Sequence, residues 1–237
     1  MVNNVISISP FFIARLLGKI ALLLILTSIV GQVIKHLSGH ADAYKFVWFF
    51  YVDAEYNLPS SFSGFILMLA ALILAVITIL VRGQNDSMMS YWLILCSGFF
   101  FMAADEILSL HERLIIPLRQ FIAIDHYGVL YHAWVIPGIM IVIVLTLFFY
   151  KFLYRLPEKT RSAFLVSGAL YIGGALGMEL IGGYYEEFHQ VHNLTCTMIV
   201  TAEESLEMAG VILFIRALLS FIAQNYKEVR FQFLEKS

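Results

Sequence analysis

Charge is what this sequence has least of. Asp, Glu, Lys and Arg make up 14% of its 237 residues, while 60% are hydrophobic. A soluble domain carries about 25% charged and roughly 45–50% apolar residues. The net charge of −2 leaves no basic surface of the kind nucleic-acid binding needs. Cysteine is scarce too, at two residues. Counted along their spans at about 1.5 Å per residue, Cys96 and Cys196 lie roughly 20 Å apart in depth, too far to bridge. The sequence also lacks a serine nucleophile elbow, a phosphate loop, a zincin helix, a haem motif and paired mid-span histidines. No organic cofactor is indicated. Without internal repeats, an inverted-repeat transporter architecture has no support either.

What the sequence does have is long apolar runs. Six can cross an apolar core of about 30 Å, which takes about 20 residues each. They fall near 11–34, 61–81, 90–110, 130–151, 162–183 and 197–221. No stretch between them can form a separate soluble domain, so residues 1–237 read as one integral membrane domain. The expected fold is all-α, a polytopic transmembrane helical bundle. Orientation follows from the basic residues. With the N-terminus inside, Arg15, Lys19, Arg82, Lys151, Arg155, Lys159, Arg161, Arg216, Lys227, Arg230 and Lys236 are cytoplasmic. Only Lys35, Lys45, Arg113 and Arg119 face out. Both ends are therefore expected inside.

The acidic residues and histidines lean the other way. All seven histidines (36, 40, 111, 126, 132, 189 and 192) fall on the outer side or at outer span ends. So do all the acidic residues except Asp86, Glu158, Glu228 and Glu235. Depth sharpens the pattern. Asp105, Glu106, His132, Glu179, Glu203, Glu204 and Glu207 all fall between roughly 18 and 28 Å from the cytoplasmic ends of their spans. Ionisable groups there cost several kcal/mol each unless they face the bundle interior and find partners. Four spans thus bring acids or imidazoles to one level.

Spacing within the helices agrees. Glu203 and Glu207 share a face, with Glu204 three residues from Glu207; Asp105, Ser109 and Glu112 make a second polar stripe. Gly173 and Gly177 form a small-xxx-small pair expected at a tight helix contact, and Glu179 follows it. So many carboxyls cannot all be ionised without compensation, and Arg113 and Arg119 are the only fixed cations near them. A divalent metal resolves the imbalance economically, and Asp, Glu and His without thiolate suit Zn, Fe or Mn.

Each motif also carries a plainer reading. Asp105-Glu106-Ile-Leu-Ser-Leu-His111-Glu112 is either a ligand set or a hydrated helix end. Glu186 and His189 match one Glu-x-x-His pair of a di-iron bundle, which needs two; otherwise His189 and His192 are ordinary loop histidines. His132, between Tyr131 and Trp134, also suits an interfacial aromatic belt. Asp53-Ala-Glu55-Tyr-Asn57-Leu-Pro59 either folds over the site or is a turn with a helix cap before Pro59. Residues 113–127 read as a short interfacial helix or a loop covering the bundle.

At Asp53-Ala-Glu55, DEILSLHE, WVIPG, GGALGMELIGGYY and EESLEMAGVILF, the chain resembles a group of uncharacterised bacterial six-helix integral membrane proteins. Some of these are labelled multidrug transporters. The resemblance runs from the first loop to the last span and implies a bacterial inner-membrane location, with no activity attached. A looser similarity links the chain to the alkaline ceramidase and progestin-receptor-like membrane hydrolases. Their spaced histidine pair on a final span is missing here.

Three functions fit these observations. The first is a metal-dependent membrane enzyme acting on a lipid or other small amphiphile at the extracytoplasmic face. Its expected metal ligands are Asp105, Glu106, His111, His132, Glu179, His189, Glu203 and Glu207, with Glu106 and Glu204 as catalytic carboxylates. The second is a cation- or proton-coupled transporter. The third is a non-catalytic binding or assembly protein whose polar cluster pins helices together.

Overall fold

The computed structural model describes residues 9–38, 44–83, 87–123, 126–189, 193–226 and 228–229. Of the residues singled out above, His40, Asp86, His192, Lys227, Arg230, Glu235 and Lys236 lie outside the described residues. In chain order the helices are α1 (Pro10–Ser38), α2 (Tyr44–Phe50), α3 (Leu58–Arg82), α4 (Met89–Leu108), α5 (Leu110–Arg113), α6 (Ile115–Ile122), α7 (Val135–Arg155), α8 (Glu158–Ile172), α9 (Glu179–His189) and α10 (Leu194–Asn225). A π-helical turn, Gly173–Met178, joins α8 to α9, so that Glu158–His189 runs as one rod.

Six helices are long and apolar enough to cross a membrane: α1, α3, α4, α7, the α8–α9 rod and α10. All six runs expected from the sequence are matched. The largest boundary differences sit at the histidine-rich end. The α8–α9 rod continues to His189, and α7 starts only at Val135, after a 3₁₀ turn at Gly128–Leu130.

α3 and α10 form the centre of the bundle. On α3, Ile66, Leu67, Ala70, Leu74 and Ile77 are buried at helical spacing, and on α10 so are Met208, Val211, Ile215 and Leu218. Near the opposite end from the histidines, Trp92 is fully enclosed, its ring 5.0 Å from Phe152 and 4.9 Å from Phe221. α7 lies at the periphery. It exposes Met140, Ile141, Ile143, Val144 and Leu147 on the side a membrane would cover.

The start of α3 is fixed by Asn57, whose side-chain oxygen accepts the Ser60 N–H while the Ser60 hydroxyl accepts the Asn57 N–H. This reciprocal cap satisfies two donors that a helix start leaves open. The Asn57 amide also donates to the carbonyls of Trp48 (2.9 Å) and Tyr51 (2.6 Å), so the same residue ties α2 to α3.

The close helix contact expected at Gly173 and Gly177 lies elsewhere. A Cβ on either of those glycines would meet nothing within 4 Å. A Cβ on Gly174 would sit 2.8 Å from the Glu203 carbonyl oxygen and 2.8 Å from Glu207 Cγ. From the other partner, one on Gly210 would sit 2.8 Å from the Ser167 carbonyl oxygen and 2.8 Å from the Tyr171 nitrogen. The π turn explains the shift. Its i→i+5 bonding adds a residue to the turn and rotates the small-residue face away from the regular helical pattern.

Candidate functional site

At the end where α4 finishes and α10 begins, the bundle opens into a cavity of about 240 Å³. Four candidate spans (α3, α4, the α8–α9 rod and α10), the short helices α5 and α6, and the segments before α3 and before α7 build its wall. α4 ends at Leu108 because Ser109 adopts a left-handed conformation (φ 49°, ψ 48°), and α5 restarts at Leu110 in a new direction. A non-glycine residue is held there only when its surroundings impose it. Asp105 supplies that constraint. Its carboxylate accepts the His111 backbone N–H at 2.9 Å and approaches the His111 Nδ1 at 2.8 Å, folding the histidine back over the helix it has just left.

On the facing wall, His132 stands between two carboxylates of α9. Its Nδ1 lies 2.8 Å from Glu179 Oε1, an ion-pair contact without hydrogen-bond alignment, and its Nε2 lies 3.2 Å from Glu186 Oε2. Trp134 donates its indole N–H to Glu179 Oε1 at 2.7 Å. The Trp134 ring also lies 4.8 Å from the His111 ring, which links the two histidine clusters around the cavity. The Cys196 thiol donates to Glu186 Oε1 at 3.3 Å. Both cysteines are free and buried, as their depths required.

Ten carboxyl groups line the cavity: Asp53, Glu55, Asp105, Glu106, Glu112, Glu179, Glu186, Glu203, Glu204 and Glu207. Two imidazoles, His111 and His132, stand beside them, and among the described residues no lysine or arginine lines the wall. Burial opposes charge on each histidine, but the carboxylate partners prevail, Asp105 for His111 and Glu179 with Glu186 for His132. Both imidazoles are pushed up to about 9. At neutral pH they are cations. At the rim, burial and then Glu55 raise the Glu112 carboxyl above its ordinary value.

Two positive charges cannot balance ten carboxylates. A like-charge pair at 4 Å costs about 4 kcal/mol at an effective dielectric of 20. The lining must therefore carry protons or a cation. The Glu203 carboxyl meets that of Glu179, and Glu55 Oε2 is buried with no hydrogen-bond partner among the described residues. Such an orphan acceptor faces outright desolvation cost unless a donor or cation reaches it.

Of the residues singled out from the sequence, Asp105, Glu106, His111, His132, Glu179, Glu203, Glu204 and Glu207 all line this cavity. His189 does not. Its ring stacks on Tyr185 (4.1 Å between centroids) and its Nδ1 lies 3.0 Å from the Tyr185 carbonyl, on the exposed side of α9. The Glu-x-x-His pair is thus split, with Glu186 turned inward. Arg119 is not a counter-ion for the cavity either. It donates to the Tyr131 carbonyl through Nε (2.7 Å) and Nη2, and lies over the Tyr131 ring. The metal set expected from the ligand types is not assembled. Among the described residues, no group of three or more His, Cys, Asp and Glu side chains could hold a metal ion. The acids are spread around the wall, and three of them, Asp105, Glu179 and Glu186, are committed to histidines and neighbouring donors.

Asp53, Glu55, Trp134 and Tyr171 also line the cavity and were not among the expected ligands. The Asp53–Pro59 segment plays both of the roles its sequence allowed, since Asn57 caps α3 while Asp53 and Glu55 close over the cavity.

The chain belongs to the family described as Domain of unknown function (DUF8692). The match covers residues 16–222, which takes in the four middle candidate spans whole, most of the first and last, and every carboxyl of the cavity. No curated protein and no solved structure matches the chain. Membership therefore names no activity, and any activity has to be argued from the cavity itself.

Proposed function

We propose that this family member binds a cation in its acidic cavity and releases protons as the cation enters. The observation that carries the reading is the lining: ten carboxyl groups and two imidazoles around about 240 Å³, with no lysine or arginine among the described residues there. An anion would meet net repulsion there, and a neutral polar ligand would leave the acidic excess uncompensated. A cation satisfies the buried acceptors and displaces the protons that hold the cluster together in its absence.

The excess of lysine and arginine at the other end supports an extracytoplasmic cavity in a bacterial inner membrane. Below the cavity the centre of the bundle is closed by Leu74, Trp92, Ile215 and Leu218, all fully buried and none ionisable. That favours capture or presentation of the cation at one face over conduction through the bundle. It also favours binding over metal-assisted hydrolysis. An imidazole that stays charged up to about 9 is a hydrogen-bond donor at neutral pH and not a base for activating water.

Calorimetric titration of the full chain in phosphatidylcholine nanodiscs tests the reading, with butylammonium and Mn²⁺ as separate probes. Saturable binding of at least one probe is expected, and its loss in the Glu203→Gln/Glu204→Gln variant. If neither probe binds the native protein, the reading fails.

A further inference from the structure

Directly beneath the acidic cavity lies a second space of opposite character, an apolar cleft of about 440 Å³ between α4, α7, α8 and α10. Tyr171 borders both spaces. Along α4, Met102 in the cleft precedes Asp105 in the cavity by three residues; along α10, Gly210 in the cleft follows Glu207 by three. Each step is about 5 Å of helix, so the two spaces are stacked along the bundle axis. The cleft contains no charged residue. Two of its hydroxyls are already spent within their own helices, Thr146 on the Val142 carbonyl and Ser167 on the Ala163 carbonyl, each at 2.7 Å. Leu145 and Leu165 line it and are exposed on the bundle surface, so it opens sideways, toward the lipid.

The geometry points to a single-chain alkylammonium amphiphile as the ligand, its ammonium head among the cavity carboxylates and its alkyl chain in this cleft. The inference rests on the cation-binding reading and names the class of cation. A simple apolar groove would accept any lipid tail. Here the adjoining headgroup compartment carries ten carboxyls against two imidazoles, with no lysine or arginine among the described residues, an acidic excess that disfavours phosphate-bearing heads and favours a cationic one. A head at the level of Asp105 and Glu207 places the first methylenes beside Tyr171 and the following ones between Met102, Phe99 and Phe214. The amphiphile enters from the bilayer between α7 and α8, where the rim is open.

The test uses the full chain in phosphatidylcholine nanodiscs and a hexadecylamine with a diazirine at the middle of its chain. Hexadecanol carrying the same diazirine is the neutral control. After irradiation and peptide mapping, the amine should label Phe99, Val211 and Phe214 about tenfold more than the alcohol does, the weight of one charge-assisted hydrogen bond. Excess butylammonium should remove that enrichment. Gly168 faces open space in the cleft, since a Cβ there would meet nothing within 4 Å. Gly168→Leu should therefore abolish the cleft adducts, with butylammonium binding as its folding control. Equal labelling by amine and alcohol, or adducts spread evenly over lipid-facing residues such as Ile141 and Leu147, would overturn the proposal. If butylammonium binds while the long-chain amine finds no cleft, this inference alone falls; if neither butylammonium nor Mn²⁺ binds, the cation-binding reading falls with it.

Discussion

Asp105 holds His111 at two points, accepting its backbone N–H at 2.9 Å and lying 2.8 Å from its ring Nδ1. The pair spans the left-handed Ser109, so one carboxylate both stabilises the break between α4 and α5 and aims an imidazole at the cavity. Asp105→Asn keeps an oxygen for the backbone bond but removes the charge beside the ring. The His111 titration should fall from about 9 toward the ordinary histidine value near 6.5. An imidazole-resolved NMR titration checks this, and an unmoved His111 would contradict the account.

The sign of the stability effect follows from the same pair. A histidine raised in the folded state contributes stability that is fully present below its unfolded value of about 6.5 and is lost as pH rises through about 9. His111 and His132 both behave this way. Thermal stability in detergent should therefore decline between pH 7 and pH 10. The decline should shrink in Asp105→Asn, which has already surrendered the His111 share.

Glu179 serves two partners at once, His132 at 2.8 Å and the Trp134 indole N–H at 2.7 Å. Glu179→Ala orphans the Trp134 indole and leaves His132 with Glu186 alone, which should cost about 1–3 kcal/mol for the orphaned indole. Denaturation midpoints measure the loss. A shift in Trp134 emission, seen against a background with Trp48 and Trp92 replaced by Phe, reports the freed indole directly.

The glycines make a sharp contrast. Gly210→Ala pushes a methyl to 2.8 Å from backbone atoms of α8, which flexible side chains cannot relieve. It should destabilise the bundle by about 1–3 kcal/mol. Gly177→Ala meets nothing within 4 Å and should be neutral or stabilising by up to about 1 kcal/mol. The reverse order in a thermal-shift comparison would mean that α8 and α10 do not pack as described.

The spans were legible because hydropathy and length are summed over some twenty residues, and single exceptions such as Glu203 do not erase the pattern. The cavity was legible for a related reason. Depth alone groups Asp105, Glu106, Glu179 and the α10 glutamates, since buried acids must find one another or a cation. What failed was local. Glu186 and His189 sit three residues apart, yet His189 folds onto Tyr185 one turn behind it, and no spacing rule chooses between those two partners. The π turn that moves the contact from Gly173 and Gly177 to Gly174 depends on packing against α10, which a single helix does not encode. Arg119 seemed available as a counter-ion only because its bond to the Tyr131 carbonyl needs the loop to fold first. Tyr171 reads in sequence as one more mid-span aromatic, and its place between two unlike spaces emerges only in three dimensions.

The central claim is that a cation replaces protons in the carboxyl cluster, and proton release measures that exchange most directly. Butylammonium is added to the full chain in weakly buffered nanodiscs at pH 7 with an indicator dye. The account predicts a saturable acidification that follows binding and disappears in Glu203→Gln/Glu207→Gln. Butylammonium binding that releases no protons would contradict it.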